Sequence, residues 1–303
     1  MGTDPGSILV FGNVTLDVIC KTVDDVPRHD SISFQDAAVT PGGCASNVAI
    51  GLAMLSEKPL LVACMGDDQT ADILNDAWKM QGVDTRFVKR IPEKGTGVSV
   101  GLVDSDFQPR FIHTSGANAE LRGDALKPAI FKEQEVDFMH VAGYFVLPGL
   151  LQPDFAEALA RVQETDVFIS LDVVRSPAMK DPETLWNILP HLNLFMCNLQ
   201  EAKILTGASD PEVAANEFLK KGVPSVIIKL GADGCWLAEG DKALHIPGFP
   251  VKQVVDTTGA GDAFAAGLMS ALRQGKSLAE ACQLGAKQGA LTTGFLGAVR
   301  LDK

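Results

Sequence analysis

The sequence predicts an α/β fold in which a mostly parallel central sheet has helices on both faces and carries a small inserted β-sheet. Short apolar runs alternate with amphipathic helical patterns along most of the chain, as expected for parallel strands joined by helices. Two stretches, about residues 13–40 and 96–114, instead alternate apolar and polar residues without a helix between their halves. Because this period of two is typical of a small antiparallel sheet with one open face, we expect a lid within a single domain spanning residues 1–303. An edge hairpin without a functional role is the alternative.

Six short apolar runs are the candidate strands of the central sheet. They are Ser7–Phe11, Leu60–Cys64, Phe138–Ala142, Val167–Leu171, Leu194–Cys197 and Val226–Lys229. The helical patterns between them cover Ala45–Leu55, Ala71–Gln81, Asp154–Gln163 and Pro211–Lys221. Proline at the start of the last pattern and Gly222 after its end are typical helix boundary residues, which supports a helix there.

The composition is that of a folded, acidic protein. Of 303 residues, 46% are hydrophobic and 21% are charged, and the formal net charge is −12. The negative charge disfavours a nucleic-acid or anionic-membrane partner, and no apolar run approaches the roughly 18 residues of a membrane-spanning helix. Residues 1–7 form a short leader without the order of a signal peptide, and the six scattered cysteines form no C-x-x-C pair. We therefore expect a cytoplasmic protein with reduced thiols.

The segment Asp256–Phe264 is the strongest candidate for chemistry. Gly259 and Gly261 leave backbone N–H groups uncovered at the start of the helix that is predicted to follow, where the helix dipole favours an anion. One of the two preceding threonines is expected to cap this helix. Asp262 lies in the first turn, where a carboxylate beside a phosphate can accept a proton from an attacking hydroxyl. A glycine-rich turn with an ordinary first-turn aspartate is the alternative.

Two common nucleotide-binding motifs are missing from the sequence. The letters Gly275-Lys276-Ser277 end like a P-loop, but the first glycine of that motif is replaced by Ser270 and the segment follows a predicted helix. No G-x-G-x-x-G follows the first predicted strand, which disfavours the alternative of an unrelated α/β enzyme, a dinucleotide-dependent oxidoreductase.

Two segments resemble signatures of the PfkB/ribokinase family of carbohydrate kinases. Asp256–Phe264 is similar to the family's C-terminal signature, and Gly42–Ala49, about 210 residues upstream, is similar to its N-terminal Gly-Gly…Asn signature. The resemblance covers nearly the whole chain. It implies a ribokinase-like three-layer α/β/α sandwich with a small β-sheet lid. It also implies a cytoplasmic enzyme that transfers the γ-phosphoryl group of MgATP to a hydroxyl of a sugar.

The resemblance assigns the transfer step to the start of the predicted helix. Asp262 resembles the catalytic base of these kinases. Gly259, Ala260 and Gly261 resemble the anion hole that neutralises the phosphoryl group in transit, and Gly259 and Gly261 would also contact ATP.

On the nucleotide side, the resemblance names two further segments. Lys229, Gly231 and Gly234 lie in a segment similar to the family's ATP-binding turn; the same letters also predict a turn between Val226–Lys229 and a strand at Cys235–Ala238. Asn198 and Glu201 match an N-x-x-E motif that organises Mg²⁺ through water against the ATP phosphates. Without the family, this motif is a helix capping box.

A potassium site is a further implication, because Asp256 and Thr258 resemble residues of a cation loop beside the anion hole. Backbone carbonyls near Thr292 and Gly297 would complete that site. Not all members of the family use the ion.

The sugar would be bound near the end of the first strand and by the lid. The implied acceptor-binding residues are Asn13, Asp17, Gly42, Gly43, Asn47 and His113. A carboxylate that accepts two hydroxyl protons is a common way to hold a vicinal diol, and we assign Asp17 to this role. Asn118 is a weaker candidate for contact with the substrate, and a solvated lid residue is the alternative for His113. Asp172 and Arg175 end a strand on the presumed active edge, and Arg175 is a candidate contact for a phosphate or the substrate.

The acceptor itself is not named by the sequence. Ribokinases usually carry Lys after the Gly-Gly pair and fructokinases Ala-Pro, whereas this chain has Cys44-Ala45. A nucleoside kinase of the same family and a catalytically silent sugar or nucleotide sensor are therefore kept as alternatives. Many members also continue into a final helix after the segment at 297–299, and this sequence ends at Lys303. Because exposed lid strands invite pairing, we expect a homodimer formed through the lid.

Overall fold

The computed structural model describes residues 7–301, in which thirteen strands form a nine-stranded sheet and a separate four-stranded sheet. Residues 1–6 of the expected leader lie outside the described residues. The strands of the large sheet are β1 (Ser7–Gly12), β4 (Pro59–Gly66), β5 (Asp84–Ile91), β8 (Val136–Ala142), β9 (Phe168–Asp172), β10 (Leu194–Asn198), β11 (Ser225–Lys229), β12 (Cys235–Glu239) and β13 (Lys242–Ile246). The small sheet consists of β2 (Thr15–Lys21), β3 (Asp36–Gly42), β6 (Val98–Val103) and β7 (Pro109–Thr114).

The α-helices lie mostly between strands of the large sheet. They are α1 (Cys44–Met54), α2 (Gln69–Gln81), α3 (Pro128–Glu133), α4 (Asp154–Gln163), α5 (Glu183–Ile188), α6 (Leu199–Thr206), α7 (Pro211–Lys220), α8 (Ala260–Arg273) and α9 (Leu278–Thr292). The four helices predicted from the sequence are confirmed, with bounds that differ by at most two residues. Gly275 follows α8 with φ +76°, as a glycine does after a helix end.

The large sheet has the order β13-β12-β11-β10-β9-β8-β1-β4-β5. All neighbours are parallel except the pairs β11–β12 and β12–β13, so the prediction of a mostly parallel sheet is confirmed. The chain runs outward from β1 in one direction through β4 and β5, and in the other direction from β8 onward. In open α/β sheets, ligands bind beyond the carboxyl ends of the strands near such a switch point.

Two hydrophobic cores cover the two faces of this sheet and make the fold a three-layer sandwich. One core lies under α3 to α7 and includes the buried rings of Phe155, Phe195 and Phe218. The other lies under α1, α2, α8 and α9 and includes Trp78 and Leu268. Burying each such side chain contributes on the order of 1.5–3 kcal/mol, so both faces stabilise the sheet that positions the site.

Two strands that the sequence did not predict, β5 and β13, are the two edges of the large sheet. Neither carries a continuous apolar run, because edge strands are half solvated; most residues of β5 are half-buried, and four of the five in β13 are exposed. Charged residues on an edge, such as Arg86 and Lys89 on β5, also discourage pairing with another chain.

Helix α9 was not predicted either, because glycines interrupt its apolar pattern. An added Cβ at Gly285 would lie 2.9 Å from the backbone oxygen of Phe264, and one at Gly289 would lie 2.8 Å from that of Ala260. The glycines therefore let α9 approach α8 closely, which holds the start of α8 in place.

The small sheet has the order β3-β2-β6-β7. Its outer pairs are antiparallel, as the alternating pattern suggests, whereas the central pair β2–β6 is parallel. The strand register aligns one polar row on one face: Thr40, Asp17, Ser99 and His113. The adjacent row on the opposite face is apolar: Val39, Val18, Val100 and Ile112. This separation of polar and apolar faces explains the period of two in the sequence.

Within residues 7–301, no helix is long and apolar enough to cross a membrane.

Candidate active site

A cavity of about 550 Å³ lies at the carboxyl edge of the large sheet, facing the polar row of the small sheet. The predicted site residues that line it are Asn13, Asp17, Gly43, Asn47, His113, Asn198, Glu201, Lys229, Thr258, Gly259, Gly261 and Asp262. Five others are absent from its described lining: Gly42, Gly231, Gly234, Asp256 and Ala260. The cavity therefore collects residues from both ends of the chain, as the two signature segments predict.

The start of α8 is an open cluster of backbone donors. Gly259 precedes the helix with φ +74°, a conformation that favours glycine, and an added Cβ there would overlap Ala298. The predicted threonine cap is wrong: no side chain caps the helix, and the Thr258 hydroxyl donates to Asp256 at 2.7 Å. The Ala260 amide donates to the Thr257 carbonyl at 3.3 Å. No side chain accepts from the other amides at the start of α8, which can receive an anion from the cavity.

Asp262 lies in the first turn of α8 and is the central carboxyl group of the cavity. The Asn47 amide nitrogen donates to its Oδ2 atom at 2.8 Å, and the Cys44 thiol also hydrogen-bonds to it. Burial raises the pKa of Asp262 to about 7, although the Asn47 hydrogen bond and the nearby Lys229 lower it. A carboxyl group with this pKa exchanges a proton readily near neutral pH.

Asn47 connects Asp262 to the acceptor side of the cavity. Its side chain is buried in the first turn of α1, and within the described residues its Oδ1 atom has no hydrogen-bond partner. Because a buried oxygen without a hydrogen-bond partner is energetically costly, this atom is suited to accept a hydrogen bond from a hydroxyl group of a bound molecule.

Asp17 lies on β2 with its carboxyl group turned into the cavity. The Thr15 hydroxyl donates to its Oδ1 atom at 2.5 Å, and burial raises the pKa of Asp17 to about 6. Gly42 pairs with Thr15 across β2 and β3, and an added Cβ at Gly42 would overlap the Asp17 carboxyl group. Gly42 thus makes room for Asp17, although it was predicted to contact the substrate through its own backbone.

Two asparagines differ in how much of each side chain is available. Asn118 receives a hydrogen bond from the Val14 amide at 2.9 Å and donates to the Val14 carbonyl at 2.7 Å, so both ends of its side chain hold β2 in place. The Asn13 oxygen accepts the Cys44 amide at 3.2 Å, which leaves its nitrogen as the group that can face a ligand. His113 is exposed on β7 and lines the cavity rim.

Asn198 and Glu201 form the capping box that their spacing allows. Each side chain accepts the other residue's backbone amide, at 2.8 and 2.9 Å. Glu201 is 5% exposed, and burial raises its pKa to about 7. Both residues line the cavity, so the structural and the ligand-binding interpretations are compatible.

Asp256 is fully buried and joins two loops beside α8. Its Oδ1 atom accepts from the Thr258 amide and hydroxyl, at 2.9 and 2.7 Å. Its Oδ2 atom accepts the Gly297 amide at 2.8 Å. The carboxylate thereby brings residues 256–258 next to the 292–297 segment, as the resemblance implies.

Of the ATP-binding turn predicted after β11, Lys229 lines this cavity, whereas Gly231 and Gly234 are absent from its described lining. Gly231 is exposed with φ +65°, and nothing within 4 Å would meet a Cβ added to it. Gly234 is buried, and a Cβ there would overlap the Ile246 carbonyl oxygen, so its smallness is required by packing. The space beside Gly231 is therefore open, whereas that beside Gly234 is filled by the backbone.

Comparison with known proteins identifies the family. The model of the "pfkB family carbohydrate kinase" matches residues 6–301. The chain belongs to the pfkB family of carbohydrate kinases. It is therefore an ATP-dependent kinase that phosphorylates a sugar, as the two signature segments predicted.

The pfkB-family relatives extend over most of the chain. The ribokinase of Haemophilus influenzae is 26% identical over 297 residues, which cover 96% of this chain and 94% of that protein. The 2-dehydro-3-deoxygluconokinase of Bacillus subtilis is 30% identical over 262 residues, which cover 82% of this chain and 79% of that protein. The solved structure of ribokinase from Thermotoga maritima is 28% identical, with a TM-score of 0.80 over 97% of this chain and 94% of that one. The ribokinase-like fold is thereby confirmed.

In this pfkB kinase, sequence reasoning missed several groups in the cavity. Asp172 was only a weak candidate, although its carboxylate forms an ion pair with the Lys229 ammonium. Thr15 and Ser99 were not singled out, although both line the cavity beside Asp17. The end of a buried apolar run did place Asp172 at the presumed active edge, where the ends of parallel strands meet, but its ion pair with Lys229 was not predicted.

Proposed function

We propose that this kinase holds a sugar or sugar-like alcohol at Asp17, Asn13 and Asn47 and uses Asp262 as the base that accepts the proton of its attacking hydroxyl. The observation that carries the proposal is the position of Asp262. It lies in the first turn of α8, accepts a hydrogen bond from the Asn47 amide nitrogen, and has a pKa of about 7. A carboxyl group so placed can reach both a phosphoryl group and an acceptor.

The transfer step follows from these positions. The acceptor oxygen forms a bond to the γ-phosphorus of ATP, the bond from that phosphorus to the ADP oxygen breaks, and the hydroxyl proton passes to Asp262. The amides of residues 259–261 stabilise the charge on the phosphoryl oxygens during transfer. Most of the rate enhancement is expected from this positioning and electrostatic stabilisation.

Magnesium is the cation that we propose for the ATP phosphates. Among residues 7–301, no cluster of three or more His, Cys, Asp or Glu side chains could hold a metal ion alone. Asn198 and Glu201 line the cavity with oxygen atoms, and their side chains are already engaged in the capping box. They fit a Mg²⁺ ion held through water, which would neutralise phosphate charge.

A potassium ion is a further proposal for the loop beside α8. The Asp256 carboxylate and the Thr258 hydroxyl supply oxygen atoms of the kind that bind alkali cations. Three hydrogen bonds already use most of the carboxylate's acceptor capacity, so an ion would join a loop that is formed without it.

We further propose that the small sheet is a lid on a single kinase domain and that two chains pair through it. The apolar row of the small sheet supports this, because its end members Val39 and Ile112 are 62% and 67% exposed. An exposed apolar sheet face with two free edges favours association.

The proposal is tested by ADP release from MgATP with sugars, sugar acids, polyols and nucleosides as acceptors, with and without K⁺. The Asp262→Asn variant is expected to lower kcat by about 10²- to 10⁴-fold with the best acceptor, while MgATP affinity changes little. Asp76→Asn, an exposed aspartate on α2, is the control and should retain full activity. Undiminished turnover by Asp262→Asn would overturn the assigned base, and preference for nucleosides would favour the nucleoside kinase alternative.

A further inference from the structure

Lys229 places a buried positive charge in the middle of the cavity. It ends β11, and its ammonium group forms an ion pair with Asp172 at the end of β9, across the intervening strand β10. The two side chains are only 14% and 9% exposed. A pair with so little water around it responds strongly to any new charge that enters the cavity.

The ammonium group also lies beside the open amides of α8. A Cβ added to Gly261 would lie 3.1 Å from Lys229 Nζ, with no other atom within that distance. Gly261 immediately precedes Asp262 and belongs to the turn whose amides face the cavity. The absence of a side chain at Gly261 therefore leaves the space between these amides and the ammonium group open.

The charges of the cavity show why this position matters. Four carboxyl groups line it: Asp17, Asp172, Glu201 and Asp262. In the described lining, the permanent cations are Lys229 and the exposed Arg175. An ATP triphosphate would be repelled by such carboxyl groups unless a cation stood between them and the phosphates. Lys229 lies within electrostatic reach of Asp172, Glu201 and Asp262.

We propose that Lys229 binds the transferring phosphoryl group, turning its ammonium from Asp172 toward the γ-phosphoryl oxygens beside the amides of residues 259–261. Asp172 is then a positioning residue that holds the ammonium in the free enzyme. The flexible side chain of lysine, with three rotatable donors, suits such an exchange of partners. This inference rests on the proposed function, because it needs the ATP phosphates at the start of α8.

If the Lys229–Asp172 ion pair had only a structural role, loss of Lys229 would have a different effect on nucleotide binding. If Lys229 only joins the ends of β9 and β11, its loss should weaken the binding of every nucleotide to a similar degree. If Lys229 contacts the γ-phosphoryl group, its loss should weaken nucleotides that carry this group and spare ADP. The comparison of ATP with ADP therefore separates the two roles.

The experiment measures binding of a non-hydrolysable ATP analogue and of ADP, both with Mg²⁺, by calorimetry to the full chain. For Lys229→Met we expect a loss of about 10- to 100-fold for the analogue, less than about 3-fold for ADP, and a fall in kcat of at least about 100-fold. Lys229→Arg should restore part of the analogue's affinity. Lys242→Met, an exposed lysine on β13, is the matched control and should bind both nucleotides normally.

Equal losses for both nucleotides, or no loss for either, would overturn the inference. If Lys229→Met does not fold, the double variant Lys229→Met/Asp172→Asn removes both charges together and should show the same preference for ADP. The outcome is separable from that of the proposed base. An unchanged ratio of ADP affinity to analogue affinity in Asp262→Asn, together with a changed ratio in Lys229→Met, would support the proposed role of Lys229. This conclusion does not depend on how much turnover Asp262→Asn retains.

Discussion

Burial of the Asp262 carboxyl group ties the predicted activity to pH. Its pKa is raised by burial to about 7, and the base must be ionised to accept a proton, so kcat/KM for the acceptor should rise as pH increases through about 7. Asn47→Ala removes a hydrogen bond that lowers this pKa. We expect the rising limb to move upward by about one pH unit in this variant.

Measurement of kcat/KM between pH 5.5 and 9 at saturating MgATP tests this expectation. The ATP phosphates also titrate, but equally for both proteins, so only the displacement between the two profiles reports Asp262. If the rising limbs of the two pH profiles coincide, a group other than Asp262 controls the pH dependence. This holds whatever effect Asn47→Ala has on the maximum rate.

The pairing of β2 with β3 places Gly42 against the acceptor-binding carboxyl group. Because an added Cβ would overlap Asp17, Gly42→Ala must displace that side chain from the cavity. We expect the KM for the acceptor to rise by about 10- to 100-fold, since misplacement of a binding group by about 1 Å has effects of this size. MgATP affinity should be nearly unchanged, because the residues proposed to contact ATP lie outside β2 and β3.

Initial-rate kinetics with each substrate varied separately would show this division. Gly95→Ala serves as the control glycine, since the nearest atom to its added Cβ is 3.8 Å away. An unchanged acceptor KM in a folded Gly42→Ala protein would remove Asp17 from the proposed acceptor site.

Across the whole chain, features encoded by neighbouring residues were predictable and features encoded by strand order were not. Asn198 and Glu201 are three residues apart, so their capping box and their position after β10 follow from local sequence. The Lys229–Asp172 pair joins residues 57 apart and depends on β10 lying between β9 and β11. The same holds for Asn118, whose side chain binds Val14 across 104 residues.

The family resemblance supplied the long-range part that local patterns lack. It brought Asp262 and the Gly42–Ala49 segment into one site, and Asn47 and Asp262 are indeed hydrogen-bonded across 215 residues. It named Lys229 only as part of a nucleotide-binding turn, and it did not supply the position of the Lys229 ammonium beside Gly261.

The exposed apolar face of the small sheet predicts that two chains associate through it. The apolar row from Val39 to Ile112 crosses all four strands on the face opposite Asp17 and His113. We expect a dimer at micromolar concentration by light scattering after gel filtration. Ile112→Lys should shift it toward monomer, because a lysine would bury its charge in an apolar interface.

Ile73→Lys is the matched control, since Ile73 is 52% exposed on α2, outside the small sheet. A monomeric parent protein, or equal effects of the two lysines, would contradict pairing through this face. If Ile112→Lys also raises the acceptor KM while Ile73→Lys does not, pairing helps to hold the polar row over the cavity. Dimerisation would then be part of how the sugar site is closed.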